Sequence, residues 1–306
     1  MTNDRFSPPD KLIKTMLPYF EKLLGGKENI ENFDKSVKDH SVFPRNALYI
    51  EYWEMRRYLQ QGIARPLWLI RSGYHAQCLK YCIDKVSVVD VDGQELNIDT
   101  IDYIADTASP ERSIDILSEL EFASQLPLNV DSVGLIAEIE KSRMDSPKKR
   151  PDILLKHNGN TTFIECKRAE SKDNPSRADI QDDIDKAATS GKFRDEFYQG
   201  ENQNCILQIL VPHTLDYITN GEMMALLEEA NDRVLGKGDR SEYISSVVST
   251  YYTLQLKREE RTTLFGPIFV ETTSPNSDFK LGIESPIQGT IQNEPVYDVE
   301  GIAESE

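Results

Sequence analysis

The chain has 306 residues, a formal charge of −17 and 39% hydrophobic residues, enough for one large or two modest domains around a sizeable core. No apolar run approaches a membrane span, the first ten residues lack the pattern of a secretory leader, and four cysteines make no disulfide framework. A cytoplasmic protein is expected, with no membrane partner, and a uniformly basic nucleic-acid-binding surface is excluded.

Residues 1–108 are predicted to be mainly helical. Leu12, Ile13, Met16, Leu17, Phe20 and Leu24 recur at helical spacing, and further helices are expected over roughly 45–62 and 66–84. Tyr49, Tyr52, Trp53, Tyr58 and Trp68 suggest a packed aromatic face, with a base-stacking surface as the alternative. His75, Cys78 and Cys82 stand one turn apart. A metal site would need a fourth ligand that the neighbourhood does not show, so core packing is expected. Residues 86–98, with Asp92-Gly93 in the middle, read as a small hairpin.

Next comes a helix that opens at Ser109-Pro110-Glu111, an N-cap, a first-turn proline and an early acid, and stops before Pro127. Glu119 falls within its apolar stripe of Ile116, Leu120, Ala123 and Leu126, where a carboxylate is costly unless something charged meets it. Glu121 is the second choice for that role. A strand is expected over 133–139, followed by two apolar runs, 153–155 and 161–164, joined by Asn158-Gly159, a strong hairpin signal. Asp152 opens the first run and Glu165-Cys166-Lys167 closes the second. Side chains alternate along a strand, so Glu165 and Lys167 share a face, and pairing the strands can bring Asp152 to that face.

A helix follows over about 177–190, then a nearly continuous apolar run, 205–211, of the kind covered on both faces of a sheet. Beyond it are a helix carrying Met223, Leu227, Ala230 and Val234, closed by Gly236, and strands over about 248–256 and 264–272. Residues 284–306 are acidic, without Lys or Arg, and read as a loosely held tail. The chain thus divides into a helical region (1–108), a core with a C-terminal elaboration (109–283) and the tail.

Pro151-Asp152 followed by Glu165-x-Lys167, set in strand–turn–strand context, resembles the PD-(D/E)xK nuclease superfamily. The resemblance implies an α/β, restriction-endonuclease-like mixed sheet flanked by helices, and the expected order helix–strand–strand–strand–helix–strand agrees with it. It further implies a nuclease that hydrolyses phosphodiester bonds with Mg²⁺, for which Mn²⁺ can substitute. Asp152 and Glu165 would be metal ligands, Lys167 would position or activate the attacking water, and Glu119 would complete the metal site. Mg²⁺ needs only one or two carboxylates beside its waters and a phosphate, and an ammonium beside it can stabilise charge developing at phosphorus. The chain departs from one subgroup, in which a Gln is followed four residues later by Tyr, because Gln181 is followed by Asp185.

Charge adds an independent signal. Residues 141–172 hold nine basic and four acidic side chains, a local +5 that leaves −22 on the remainder. Lys148, Lys149, Arg150 and Arg168 are therefore candidates for phosphate contacts. Nucleic acid is the implied partner, DNA before RNA in defence, restriction or repair, and a homodimer is a possible assembly. The alternative is a catalytically inactive relative that binds nucleic acid or protein.

Overall fold

A computed structural model describes residues 9–38, 47–62, 66–107, 113–126, 130–137, 150–170, 175–189, 192–212, 219–257, 262–283 and 289–292. The architecture is α/β, one eight-stranded mixed sheet with helices on both faces. The strands lie side by side in chain order: β1 (Val86–Val89), β2 (Ser132–Ile136), β3 (Ile153–His157), β4 (Asn160–Arg168), β5 (Gln203–Leu210), β6 (Ser246–Lys257), β7 (Thr262–Thr273) and β8 (Gly289–Gln292). β1 runs parallel to β2, and β4, β5 and β6 run parallel to one another; the remaining neighbours are antiparallel. Among the described residues, no helix is long and apolar enough to cross a membrane.

The central strands are buried on both faces, which explains their continuous apolar runs. Along β4, Phe163 enters one core and Ile164 the other, each fully buried, and burial of such a side chain contributes about 1.5–3 kcal/mol. The helices α1 (Pro9–Leu23), α3 (Ala47–Gln61), α4 (Pro66–Lys85), α5 (Thr100–Thr107) and α6 (Ser113–Gln125) pack on the Ile164 face, with α2 (Lys27–Lys38) against α1 and α3. In α1 it is Ile13, Met16, Phe20 and Leu23 that turn inward, as the helical period requires. Tyr49 and Tyr52 are buried in the same core, with Trp53 and Tyr58 against its edge; the side chain of Trp68 lies outside the described ones. This core runs without a break across residue 108. The opposite face is covered by α7 (Arg177–Ala187) and α8 (Asn220–Leu235).

Local chemistry sets the elements that matter for the site. Asn158 and Gly159 take φ of 50° and 79°, the left-handed pair that a two-residue hairpin turn needs and that Asn-Gly supplies cheaply. The β3–β4 register follows from it, from His157 opposite Asn160 to Ile153 opposite Ile164. α7 starts with a capping box, in which Ser176 and Asp179 each satisfy the other's backbone N–H. It then carries the chain back so that β5 runs parallel to β4.

Two features differ from the sequence-based expectation. Residues 86–98 are not a two-stranded hairpin: β1 joins the main sheet through β2, and only an isolated bridge, Val89 to Glu95, crosses the Asp92-Gly93 turn. Gly134 admits this pairing, because a Cβ there would stand 2.5 Å from Val89 Cγ2. Gly236 closes α8 as expected, at φ −73°. Within the expected loose tail, Gly289–Gln292 pairs with Thr262–Phe265 of β7, satisfying what would otherwise be an open sheet edge.

Candidate active site

The β3–β4 hairpin brings the paired acids together. Leu154 and Phe163 stand opposite each other and enter the same core, on the α7 face. Two residues further along each strand, the alternation of side chains turns Asp152 and Glu165 to that face. The ladder continues past the last strand pair, where the Asp152 N–H donates to the Ile164 carbonyl at 2.9 Å. The Asp152 carboxylate is itself fixed, since its Oδ2 accepts the backbone N–H of Cys166 at 2.7 Å.

Glu165 is fully buried, and its Oε1 is ion-paired with the ammonium of Lys167, whose side chain is one-third exposed. Burial alone would lower the Lys167 pKa, but the charge and hydrogen bond of Glu165, together with the charge of Asp152, raise it above its ordinary value. Lys167 is thus an ammonium at neutral pH. The thiol of Cys166 reports on the same cluster: burial raises its pKa first, and the charges of Asp152, Glu119 and Glu165 raise it further.

Glu119 is half-buried on α6, close enough to β4 for its charge to act on Cys166. Asp152, Glu165 and Lys167 therefore share the α7 face at the C-terminal end of β4, whereas Glu119, on α6, stands on the other face of the sheet, toward Cys166. Glu121, the second choice, is committed elsewhere: its carboxylate meets His75 Nε2 and accepts the Tyr252 hydroxyl. Among the described residues, no group of three or more His, Cys, Asp or Glu side chains is arranged to hold a metal ion. Two hard carboxylates at a strand end still suit Mg²⁺, which completes its shell with water and phosphate oxygens.

The basic candidates separate. Lys148 and Lys149 lie outside the described residues. Arg150 is half-buried and donates from Nη1 to the Ala137 carbonyl at 3.0 Å, beside the end of β2. Its charge and that of Glu165 both act on the buried Tyr198 hydroxyl, in opposite directions. Arg168 follows Lys167 at the end of β4, half-buried, with its Nε enclosed and without a hydrogen-bond partner among the described residues. Gln181 is half-buried on α7, and Asp185 is used to bind α8, through Arg233 Nε at 2.7 Å and Lys237 Nζ at 2.5 Å.

Sequence reasoning missed a second polar centre. His75, Cys78 and Cys82 are buried, as expected for core residues, yet His75 lies between two carboxylates, Glu51 and Glu121. The legible signal was the acid within the aromatic run of α3, where Glu51 stands between Tyr49 and Tyr52. At the other end of β4 and β5 a polar cavity of about 470 Å³ is lined by Asn160, Gln203, Asn204, Tyr243 and Asn276, with no Lys, Arg or His among its walls. Its walls also carry Glu242 and Asp278, which would repel a phosphate.

No family model, curated protein or solved structure matches this chain.

Proposed function

We propose that the chain is a Mg²⁺-dependent nuclease of the PD-(D/E)xK type, acting on DNA, with a restriction-endonuclease-like core formed by α6, β2, β3, β4, α7 and β5. The observation that carries this reading is the convergence of the two strands of one hairpin: Lys167 pairs with Glu165, and the backbone N–H of Cys166 between them holds the Asp152 carboxylate at 2.7 Å. The element order and the parallel β4–β5 pair support the core assignment.

In this reading Asp152 and Glu165 hold the ion, with Glu119 at the edge of the site. When bound, Mg²⁺ polarises the phosphoryl oxygen and lowers the pKa of an attacking water. The chain's own residues do the rest. The Cys166 N–H fixes the Asp152 carboxylate before any ligand arrives, so no reorganisation is needed at that group. Lys167, held cationic by its two acids, stabilises negative charge on the scissile phosphate and orients the water; its raised pKa makes it a poor general base. Arg150 and Arg168 flank the site and supply positive charge for the phosphate backbone, in a chain whose remainder would repel a duplex.

The test is cleavage of plasmid and single-stranded DNA with Mg²⁺ or with chelator. Cleavage that requires the ion supports the reading, and metal-independent cleavage contradicts it. DNA binding without cleavage under any divalent ion would favour the inactive binding module.

A further inference from the structure

Three helices and two strands meet in a buried polar chain that the proposed chemistry does not use. Glu51 of α3, His75 of α4 and Glu121 of α6 are 1%, 4% and 6% exposed. His75 Nε2 lies 2.5 Å from Glu121 Oε1, while Nδ1 faces Glu51 Oε2 at 3.4 Å, an ion-pair distance. Arg71 Nε and the Ser72 hydroxyl hold Glu51, each at 2.9 Å. From the sheet side, the Tyr252 hydroxyl of β6 donates to Glu121 Oε2. The Tyr252 ring stacks on Phe265 of β7 at 5.5 Å, and Tyr74 of α4 meets both rings edge-on.

Such a chain is a poor investment in stability alone. Replacing a buried ion pair with well-packed apolar side chains is often neutral or favourable, whereas removing one partner is strongly unfavourable. What a chain of mutually held charges does provide is a fixed geometry. Here the fixed object is α6. His75 holds it from the helical layer and Tyr252 from the sheet, both through Glu121, two residues beyond Glu119. Leu120, Phe122 and Ala123 of the same helix share a core with Ile164 and Cys166 of β4.

We propose that the Glu51–His75–Glu121–Tyr252 chain is a positioning device that locks α6 onto the sheet and thereby sets Glu119 over Cys166, the residue between Glu165 and Lys167. None of the four touches substrate; they are positioning residues. The role of Glu119 rests on the nuclease reading, but the clamp on α6 rests on the contacts alone.

Cys166, beneath α6 and among the acids, supplies a readout of the clamp that does not need activity. Native-state alkylation of Cys166 by iodoacetamide, mapped by peptide mass, is measured alongside Mn²⁺ affinity for the wild type, His75→Gln and a control, Val234→Ala. The control weakens the core on the α8 side, and both variants are compared at temperatures equally far below their own Tm. His75→Gln is expected to raise the Cys166 alkylation rate about tenfold through local opening and to weaken Mn²⁺ binding about tenfold; Val234→Ala should change neither. Equal changes in both variants, or none in a folded His75→Gln, would overturn the proposal. If His75→Gln does not fold, Tyr252→Phe removes only the sheet-side hydroxyl and should shift alkylation in the same direction by a smaller factor; no shift there overturns it. A wild type that binds no Mn²⁺ defeats the nuclease reading, and the alkylation arm then decides the clamp by itself.

Discussion

Asp152 Oδ2 accepts the backbone N–H of Cys166 at 2.7 Å, so the acid that opens β3 is anchored by the second strand of its own hairpin. The contact ties the Asp152 carboxylate to the residue between Glu165 and Lys167. A carboxylate held this way is aimed by the backbone rather than by a mobile side chain, and the fold and the proposed chemistry share one hydrogen bond.

That sharing separates two substitutions. Asp152→Asn keeps an acceptor for the Cys166 N–H and should retain a near-wild-type Tm while abolishing metal-dependent cleavage. Asp152→Ala removes the acceptor from a half-buried donor and should cost about 1–3 kcal/mol as well as activity. Thermal melts beside cleavage assays check both. A Tm for the alanine variant equal to that of the asparagine variant would show that the bond contributes nothing.

Lys167→Met leaves Glu165, fully buried, without its ammonium. Breaking a buried pair in this way costs about 3–5 kcal/mol when both partners are enclosed, and the exposed side of Lys167 reduces that to about 2 kcal/mol. Adding Glu165→Gln should recover most of the loss but not cleavage, because the second change removes a proposed ligand. Denaturant unfolding of the single and double variants measures the recovery.

His75 makes stability depend on pH. Burial alone would lower its pKa, but Glu51 and Glu121 more than offset this and raise it from 6.5 to about 9. A folded-state value above the unfolded one means that the protonated ring favours folding. Its contribution is whole below pH 6.5 and fades as pH rises through about 9. The wild-type Tm should fall across that window. His75→Gln should start lower and show a flatter profile there; a parallel decline in the variant would assign the pH dependence to other groups.

The basic candidates should differ in kind. Lys148→Ala with Lys149→Ala should weaken binding to all DNA sequences alike and reduce the slope of log affinity against log salt by roughly 2, with little change in Tm. Arg150→Ala should weaken binding and also lower Tm, since its guanidinium bonds the Ala137 carbonyl. Fluorescence anisotropy over a salt series, beside thermal melts, distinguishes the two behaviours.

The β3–β4 hairpin was legible because its determinants are local: Asn158-Gly159 supplies the two positive φ angles, and the strand period then places Asp152 and Glu165. α7 was legible for a similar reason, with Ile180 and Ile184 one turn apart and both buried. The partner of β1 was not, because β2 lies beyond two intervening helices and nothing near Val86–Val89 specifies it. The phase of α6 also escaped the sequence. An apolar stripe marks one buried face, yet Ser118 and every residue from Leu120 to Leu126 are buried, since α6 lies between α4 and the sheet. On a helix covered on both sides, period alone does not separate Glu119 from Glu121. Only the long-range partners, His75 and Tyr252, decide that Glu121 turns toward the clamp.

The most direct test of the central claim is cleavage of a labelled duplex by the wild type and by Glu165→Gln, in Mg²⁺, in Mn²⁺ and in chelator. Glu165→Gln keeps the side chain's shape while removing the charge that the ion and Lys167 require. The account predicts wild-type cleavage with either ion, none in chelator, and none by a folded Glu165→Gln in any condition. Cleavage in chelator, or undiminished cleavage by Glu165→Gln, would contradict it.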